Sequence, residues 1–319
     1  MYENELIIDN LRASVPIIQG AMAVRISTAE LAAAVAREGG IGLIAGTGMS
    51  PDELRREIRR ARSISDGIIG VNVLFAVTDF PTLVGAALSE GIDLVVAGAG
   101  FSRDMFGWGK AHGTPIVPIV SSARLAVVAE KMGAAAVVVE GKEAGGHLGT
   151  DRPMKTILQE VRKAVSIPVI GAGGVIDGHD IAEVMALGAD GVQIGTRFAA
   201  SEESNASDDL KKLYVRAGRQ DVVLIESPVG LPGRGIRSPF YNRAEGNTDL
   251  STDSCMGCLK RCSRRFCIME ALNNATRGGD FNRALVFAGE EVARINEILP
   301  VTEIFRRLHD EVSLAKSGR

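Results

Sequence analysis

The chain has 319 residues, 46% hydrophobic and 24% charged, with a formal net charge of −3. That is apolar material for one large core, and the slight acidic balance gives nucleic-acid or membrane-surface binding no global support. No apolar run approaches the roughly 18 residues of a spanning helix, and Met1-Tyr2-Glu3-Asn4-Glu5 carries no signal-peptide pattern, so a cytoplasmic location is expected.

Eight apolar runs recur in chain order: Val15–Gln19, Ile41–Ile44, Gly67–Val73, Leu94–Ala97, Pro115–Ile119, Ala135–Val139, Ile167–Ile170 and Gly191–Ile194. Their β-branched residues and bounding glycines favour buried strands. The segments between them read as helices. Ser27 is the expected N-cap of a helix over Thr28–Arg37, which Gly39-Gly40 ends. Ser50-Pro51-Asp52-Glu53 opens the next, with Pro51 at the first helical position. Leu125–Met132 and Asp180–Leu187 are each followed by glycine. Eight strands alternating with helices predict an α/β fold, a (β/α)8 TIM barrel over 1–235, with a doubly wound open sheet as the alternative. Residues 236–319 are expected to form a small helical, cysteine-containing C-terminal extension packed on the barrel.

In such a barrel the loops after the strands build the active site. Here nearly all are glycine-rich or small: Gly20-Ala21-Met22-Ala23, Ala45-Gly46-Thr47-Gly48, Asn72, Gly98-Ala99-Gly100, Ser121-Ser122, Glu140–Thr150, Gly171-Ala172-Gly173-Gly174 and Gly195-Thr196-Arg197. A mouth lined this way leaves room for a large ligand. The sixth loop, Glu140-Gly141-Lys142-Glu143-Ala144-Gly145-Gly146-His147, adds a side chain that gains or loses a proton near neutral pH. The seventh and eighth offer backbone N–H groups and the Thr196 hydroxyl to a phosphate, while Arg197 either balances its charge or points into the barrel.

These motifs, in this order, together with Pro16–Met22, Gly70-Val71-Asn72 and Gly191–Phe198, resemble the nitronate monooxygenase (2-nitropropane dioxygenase) family. That family also contains the flavin-dependent enoyl-[acyl-carrier-protein] reductase II. The resemblance covers about residues 10–235 and implies a TIM barrel binding FMN. It implies that Ala21, Met22, Ala23 and Asn72 lie along the isoalloxazine. Gly173, Gly174, Gly195 and Thr196 would hold the phosphate with Gln193 close by, and Glu140, Gly145 and Gly146 would complete the cofactor site. His147 would be the acid/base residue. Two reactions compete: oxidation of an alkyl nitronate with O2, and reduction of an enoyl thioester with NAD(P)H. Phe287–Ile295 resembles the family's late helix, but Glu290, Glu291 and Arg294 make it more charged.

All four cysteines lie within thirteen residues, as Cys255-x2-Cys258-x3-Cys262-x4-Cys267. In a cytosolic chain such clustering reads as metal ligation before disulfides. The single short stretch is nearer to ferredoxin-like spacing than to paired zinc knuckles, so a [4Fe–4S] cluster is expected, with zinc as the alternative. Lys260, Arg261, Arg264 and Arg265 would offset its charge, and it would offer the flavin an electron route.

Ser238–Asp253 reads as a polar lid or linker, and Ile268–Thr276, Asn282–Ile298 and Val301–Val312 as three helices, with a tail at Lys316-Ser317-Gly318-Arg319 expected to fray. A small-molecule substrate or acyl thioester, an electron-donor protein and a second copy of the chain are the partners this reading allows. Membrane is not expected, and nucleic acid is disfavoured although the basic cysteine loop could contact phosphates. A phosphate-binding isomerase or aldolase would need a lysine–carboxylate group at a strand end, for which Lys142 with Glu140 or Glu143 is the one candidate.

Overall fold

The structure, a computed structural model, describes residues 5–246, 250, 255–278 and 280–317. The first four residues, 247–249, 251–254, 279 and the final two of the tail lie outside the described residues, which takes in part of the expected polar lid or linker.

Eight strands form one parallel sheet: β1 (Ile17–Gln19), β2 (Gly42–Ala45), β3 (Ile69–Leu74), β4 (Leu94–Gly98), β5 (Ile116–Val120), β6 (Val137–Glu140), β7 (Val169–Ala172) and β8 (Gly191–Ile194). Each pairs with its successor from β2 onward, and β8 returns to β1 through Val192↔Ile17. The ring closes where Ile18 bridges Ile41 in parallel, with Gln19 N donating to Ile41 O and Ile41 N to Ile17 O, both at 2.9 Å. Closure leaves the strands no free edge. The strands are buried on both sides, which is why their sequences are continuous Val/Ile/Leu runs rather than alternating ones. In β4, Leu94 and Val96 join the cluster inside the barrel, while Val95 and Ala97 face the helices. Leu6 and Ile8, from an N-terminal hairpin (Leu6–Ile8 with Leu11–Ala13), belong to the interior cluster.

The helices are α1 (Ala29–Arg37), α2 (Pro51–Ile64), α3 (Phe80–Ser89), α4 (Arg103–His112), α5 (Ala123–Met132), α6 (Met154–Ala164), α7 (Gly178–Ala186) and α8 (Val301–Ser317). The last packs against both α7 and α1 and fills the eighth helical position. Gly178 N donates to Glu311 Oε2 at 2.7 Å, and a Cβ at Gly178 would come within 2.4 Å of Leu308 O, so this helix pair depends on that glycine. Ser50 caps α2 in a capping box with Glu53, with Pro51 in the first turn. The expected cap of α1 is displaced by one residue. Thr28 is the N-cap but its side chain makes no capping bond to the helix backbone, whereas Ser27 is fully buried and accepts from Gln19 Nε2 (3.0 Å) and Met22 N (2.9 Å).

Between β8 and α8 the chain makes an excursion over the barrel. Its short antiparallel sheet joins Val222–Glu226 to Pro232–Ile236, and the latter to Val286–Phe287 and to Gly146–His147 of the loop after β6. The expected boundary at residue 235 falls inside the second of these strands. The polar stretch after it opens with a helix, Pro239–Glu245, capped by the Ser238 hydroxyl, and Ile268–Arg277 is helical as read. The helix expected over Asn282–Ile298 is not formed. Val286–Phe287 is a strand paired with Gly235 and Ile236, and only Val292–Arg294 makes a 3-10 turn. The apolar spacing there serves strand pairing and the close passage of Ala288-Gly289 over Gly145, whose added Cβ would lie 2.5 Å from the Ala288 carbonyl carbon.

Candidate active site

A cavity of about 250 Å³ opens at the C-terminal ends of the barrel strands. The first loop brings Ala21, Met22 and Ala23 to it; β3 brings Asn72 and β6 brings Glu140. Gly145, Gly146 and His147 form another stretch of its wall, and Gly173, Gly174, Gln193, Gly195 and Thr196 another. All thirteen barrel residues singled out in the sequence therefore meet in one place. The excursion roofs it with Leu259, Ile268, Met269 and Phe287, which sequence reading did not assign to the site.

The seventh and eighth loops together have the properties of a cradle. Gly173 and Gly174 have φ of +103° and +74°, a region that favours glycine and turns successive N–H groups outward. A Cβ on Gly195 would meet only Met22 Sδ, at 3.8 Å, so the backbone there borders open space. Beside it Gln193, 8% exposed, has a buried Oε1 with no hydrogen-bond partner among the described residues. A buried amide oxygen left unpaired is costly, and a donor from a ligand would satisfy it. The donor set thus fits a phosphate and a heteroaromatic ring together, as in FMN. Arg197 is not part of the cradle. It is buried, and its Nη2 donates to Ala200 O (2.8 Å) and Glu297 O (2.7 Å), away from the glycines. Gly145 also lies under the crossing of Ala288, whose carbonyl carbon an added Cβ would approach to 2.5 Å. Glu143 has a structural partner: its Oε2 accepts from Met154 N at 3.0 Å, at the start of α6.

His147 is held on three sides. Its strand pairs with Gly233, its ring stands edge-on to Phe287 with centroids 5.1 Å apart, and Nε2 lies 2.7 Å from Ser227 Oγ. Ser227, from the turn between Val222–Glu226 and Pro232–Ile236, is 6% exposed and was not legible as a site residue. Burial lowers the His147 pKa from 6.5 to about 4, so the ring is neutral at neutral pH. Glu140 has no hydrogen-bond partner among the described residues, and burial raises its carboxyl to about 8. Two titratable groups in one cavity are thus both kept uncharged, by the same desolvation acting on an acid and a base.

The four cysteines are unpaired thiols. Cys255 and Cys262 are exposed, and Cys258 and Cys267 are half-buried. Gly257 N donates to Cys255 Sγ and Arg264 N to Cys262 Sγ, each at 3.4 Å, and both donor residues are left-handed, at φ +64° and +58°. The Cys258 thiol is raised by burial and then by Cys267, Cys262 and Cys255. Among the described residues, the one group of three ligand-type side chains gathered within 4.8 Å is Asp177, His179 and Glu311, so the sulfurs are not drawn to the spacing of a tetrahedral zinc site. The segment is tied down on two sides. Leu259 bridges Val77 and Thr78 N donates to Cys258 O (3.0 Å), while Ser263 N donates to Pro228 O (3.0 Å), next to Ser227. No helix among the described residues is long and apolar enough to cross a membrane.

The family model described as nitronate monooxygenase matches residues 4–81 and 76–311. A carboxyl-CoA dehydrogenase from Rhodococcus jostii, acting on a 5-hydroxy-7a-methyl-1-oxo-octahydro-indene skeleton by its name, is 32% identical over 237 residues. That match takes in 74% of this chain and 66% of the relative, so the chain spans slightly under two thirds of that relative's length. A probable nitronate monooxygenase from Staphylococcus aureus is 28% identical, over 75% of this chain and 80% of its own. Among solved structures, FabK from Thermotoga maritima superposes with a TM-score of 0.87 at 34% identity, covering 96% of this chain and 95% of that one. Nitroalkane oxidase from Streptomyces ansochromogenes does so with 0.83 at 26%, covering 96% and 97%. With its barrel, its glycine cradle and a model match running nearly end to end, the chain belongs to the nitronate monooxygenase family.

Proposed function

We propose that the protein is an FMN-dependent oxidoreductase in which His147 is the acid/base residue. The observation that carries this reading is the cavity itself, where the unpaired Gln193 Oε1, the left-handed Gly173-Gly174 pair and the open flank of Gly195 converge below His147. The glycine N–H groups and the Thr196 hydroxyl would hold the phosphate, with Ala21, Met22, Ala23 and Asn72 along the ring. When bound, the flavin supplies the two-electron redox change; the protein supplies position, polarity and the proton. The residues around the mouth exclude water through Leu259, Met269 and Phe287. The test is the ultraviolet–visible spectrum of the purified protein with FMN extraction; a colourless protein that fails to take up added FMN refutes the reading.

For the substrate, the leading reading is oxidation of an alkyl nitronate with O2, in line with the family. The second is reduction of an enoyl thioester with NAD(P)H; the carboxyl-CoA in the name of the Rhodococcus relative supports the thioester part of that reading. Side-by-side assays with a nitronate under air and with an enoyl thioester plus NAD(P)H under nitrogen separate them.

Cys255, Cys258, Cys262 and Cys267 form the second part of the proposal, as ligands of a [4Fe–4S] cluster, with zinc as the alternative. What supports this is the pair of N–H···S contacts in left-handed turns and the four basic side chains in the same segment. A cluster would supply one-electron transfer beside the flavin wall, since Leu259 and Ile268, each next to a cysteine, line the cavity. Iron and acid-labile sulfide in anaerobically purified protein support it; zinc alone, or no metal, refutes it.

A further inference from the structure

We propose that Ser227 is a positioning residue that holds His147 in the Nδ1–H tautomer, so that the imidazole meets a ligand in the cavity as a donor and not as a base. The inference rests on the reading of His147 as the acid/base residue and specifies which half of that role the resting enzyme is set for.

The argument is a count of donors and acceptors around one oxygen. A serine hydroxyl has one proton and two lone pairs. One lone pair of Ser227 Oγ is taken by the backbone N–H of Val229, at 3.3 Å, within the turn that carries both residues. The remaining contact is His147 Nε2, at 2.7 Å. If Nε2 carried the proton, both lone pairs of Oγ would be used as acceptors. The hydroxyl proton would then need another acceptor, and Oγ makes no other hydrogen bond among the described residues. If instead Oγ–H donates to Nε2, the hydroxyl's proton and the Nε2 lone pair are both used. A buried hydroxyl is rarely left with an unused proton, so the second arrangement wins. The neutral ring then carries its proton on Nδ1, which has no hydrogen-bond partner among the described residues although the side chain lines the cavity.

The turn is braced so that this geometry holds. Gly230 N donates to Ser227 O at 2.9 Å, and Leu148 N donates to Pro232 O at 2.8 Å, which clamps the strand carrying His147 to the far side of the same hairpin. From outside, Ser263 N holds Pro228 O at 3.0 Å. A neutral imidazole that donates from a fixed nitrogen is suited to an oxygen on which negative charge develops, such as a thioester carbonyl or a nitro group. Burial, which keeps the ring uncharged near neutral pH, reinforces the arrangement.

The experiment is long-range ¹H–¹⁵N correlation NMR of FMN-loaded protein labelled in its four histidines, with His147 assigned by the signals missing from a His147→Gln variant. The wild type should show His147 neutral with an unprotonated Nε2. Ser227→Ala should move it toward Nε2–H and lower turnover by roughly tenfold or more at neutral pH, with flavin absorbance retained. Ser227→Thr, which keeps the hydroxyl, should restore the Nδ1–H signature. A wild-type His147 that is Nε2–H or charged at pH 7 overturns the proposal, as does a Ser227→Ala protein with unchanged tautomer and unchanged pH–rate profile. If instead the tautomer is as stated but His147→Gln turns over normally, the acid/base reading fails and the assignment of Ser227 stands.

Discussion

The hydroxyl of Tyr214 donates a 3.1 Å hydrogen bond to the carbonyl of Phe287, whose ring stands edge-on to His147. Tyr214 is almost fully buried, on the helix Asp208–Arg216, so the support behind the histidine comes from the excursion and not from a barrel strand. Replacing His147 with Ala should therefore leave the barrel and its flavin in place while lowering turnover by about 10²–10⁴-fold, the usual loss for a proton-transferring side chain. Flavin absorbance measured with steady-state rates checks this, and an unchanged rate removes His147 from the mechanism.

Glu140 gives a prediction with a definite sign. Its folded pKa is raised from 4.5 to about 8, so its contribution to stability is full below the unfolded value and is lost as pH rises through about 8. His147, lowered from 6.5 to about 4, acts in the opposite sense, costing stability as pH falls from 6.5 toward 4. Above pH 6.5 only the glutamate remains active. Flavin-free wild type should accordingly lose Tm between pH 6.5 and 8 relative to Glu140→Gln, as followed by thermal unfolding. Parallel Tm curves for the two proteins would contradict a neutral Glu140.

The cradle can be blocked without damaging the fold. Because a side chain on Gly195 enters open space and its φ of −101° suits any residue, Gly195→Val should fold with ordinary stability and bind FMN at least about tenfold more weakly. Gln193→Met goes further: it removes the unpaired buried oxygen, so the flavin-free protein should be as stable as wild type or more so, while FMN affinity falls. Titration of FMN with fluorescence quenching, beside a thermal melt, reads both quantities.

At the cysteines, Cys258→Ser and Cys267→Ser should abolish metal content if the four thiols share one centre, while the barrel-bound flavin remains. Metal analysis and the flavin spectrum of the same sample distinguish this from general misfolding. Retention of full iron and sulfide by both variants would show that these thiols are not the ligands.

Much of this molecule is local, and local features were open to reading. Strands such as Val137–Glu140 and Gly191–Ile194 announce themselves because a barrel strand buried on both faces must be apolar throughout. The glycine pair at Gly173 and Gly174 stands at a strand end because glycine adopts the positive φ needed there without steric cost. Position along the chain then suffices to collect thirteen residues at one mouth, since all strands of a parallel barrel point the same way. The partners of those residues were not legible. Ser227 reaches His147 across 80 positions of sequence, and nothing in the turn at 227–231 marks it until the hairpin folds back along Gly146–His147. In sequence Arg197 could balance a phosphate or point into the barrel; in the fold it is buried and donates to the carbonyls of Ala200 and Glu297. Residues 282–298 have helical spacing and yet become a strand and a turn, because pairing with Gly235 and Ile236 outweighs a weak intrinsic preference. By itself the sequence determined the barrel and the chemistry gathered at its mouth, through periodicity and backbone freedom. Which nitrogen of His147 is free, and what roofs the site, were decided by long-range hydrogen bonds and packing that exist only in the folded chain.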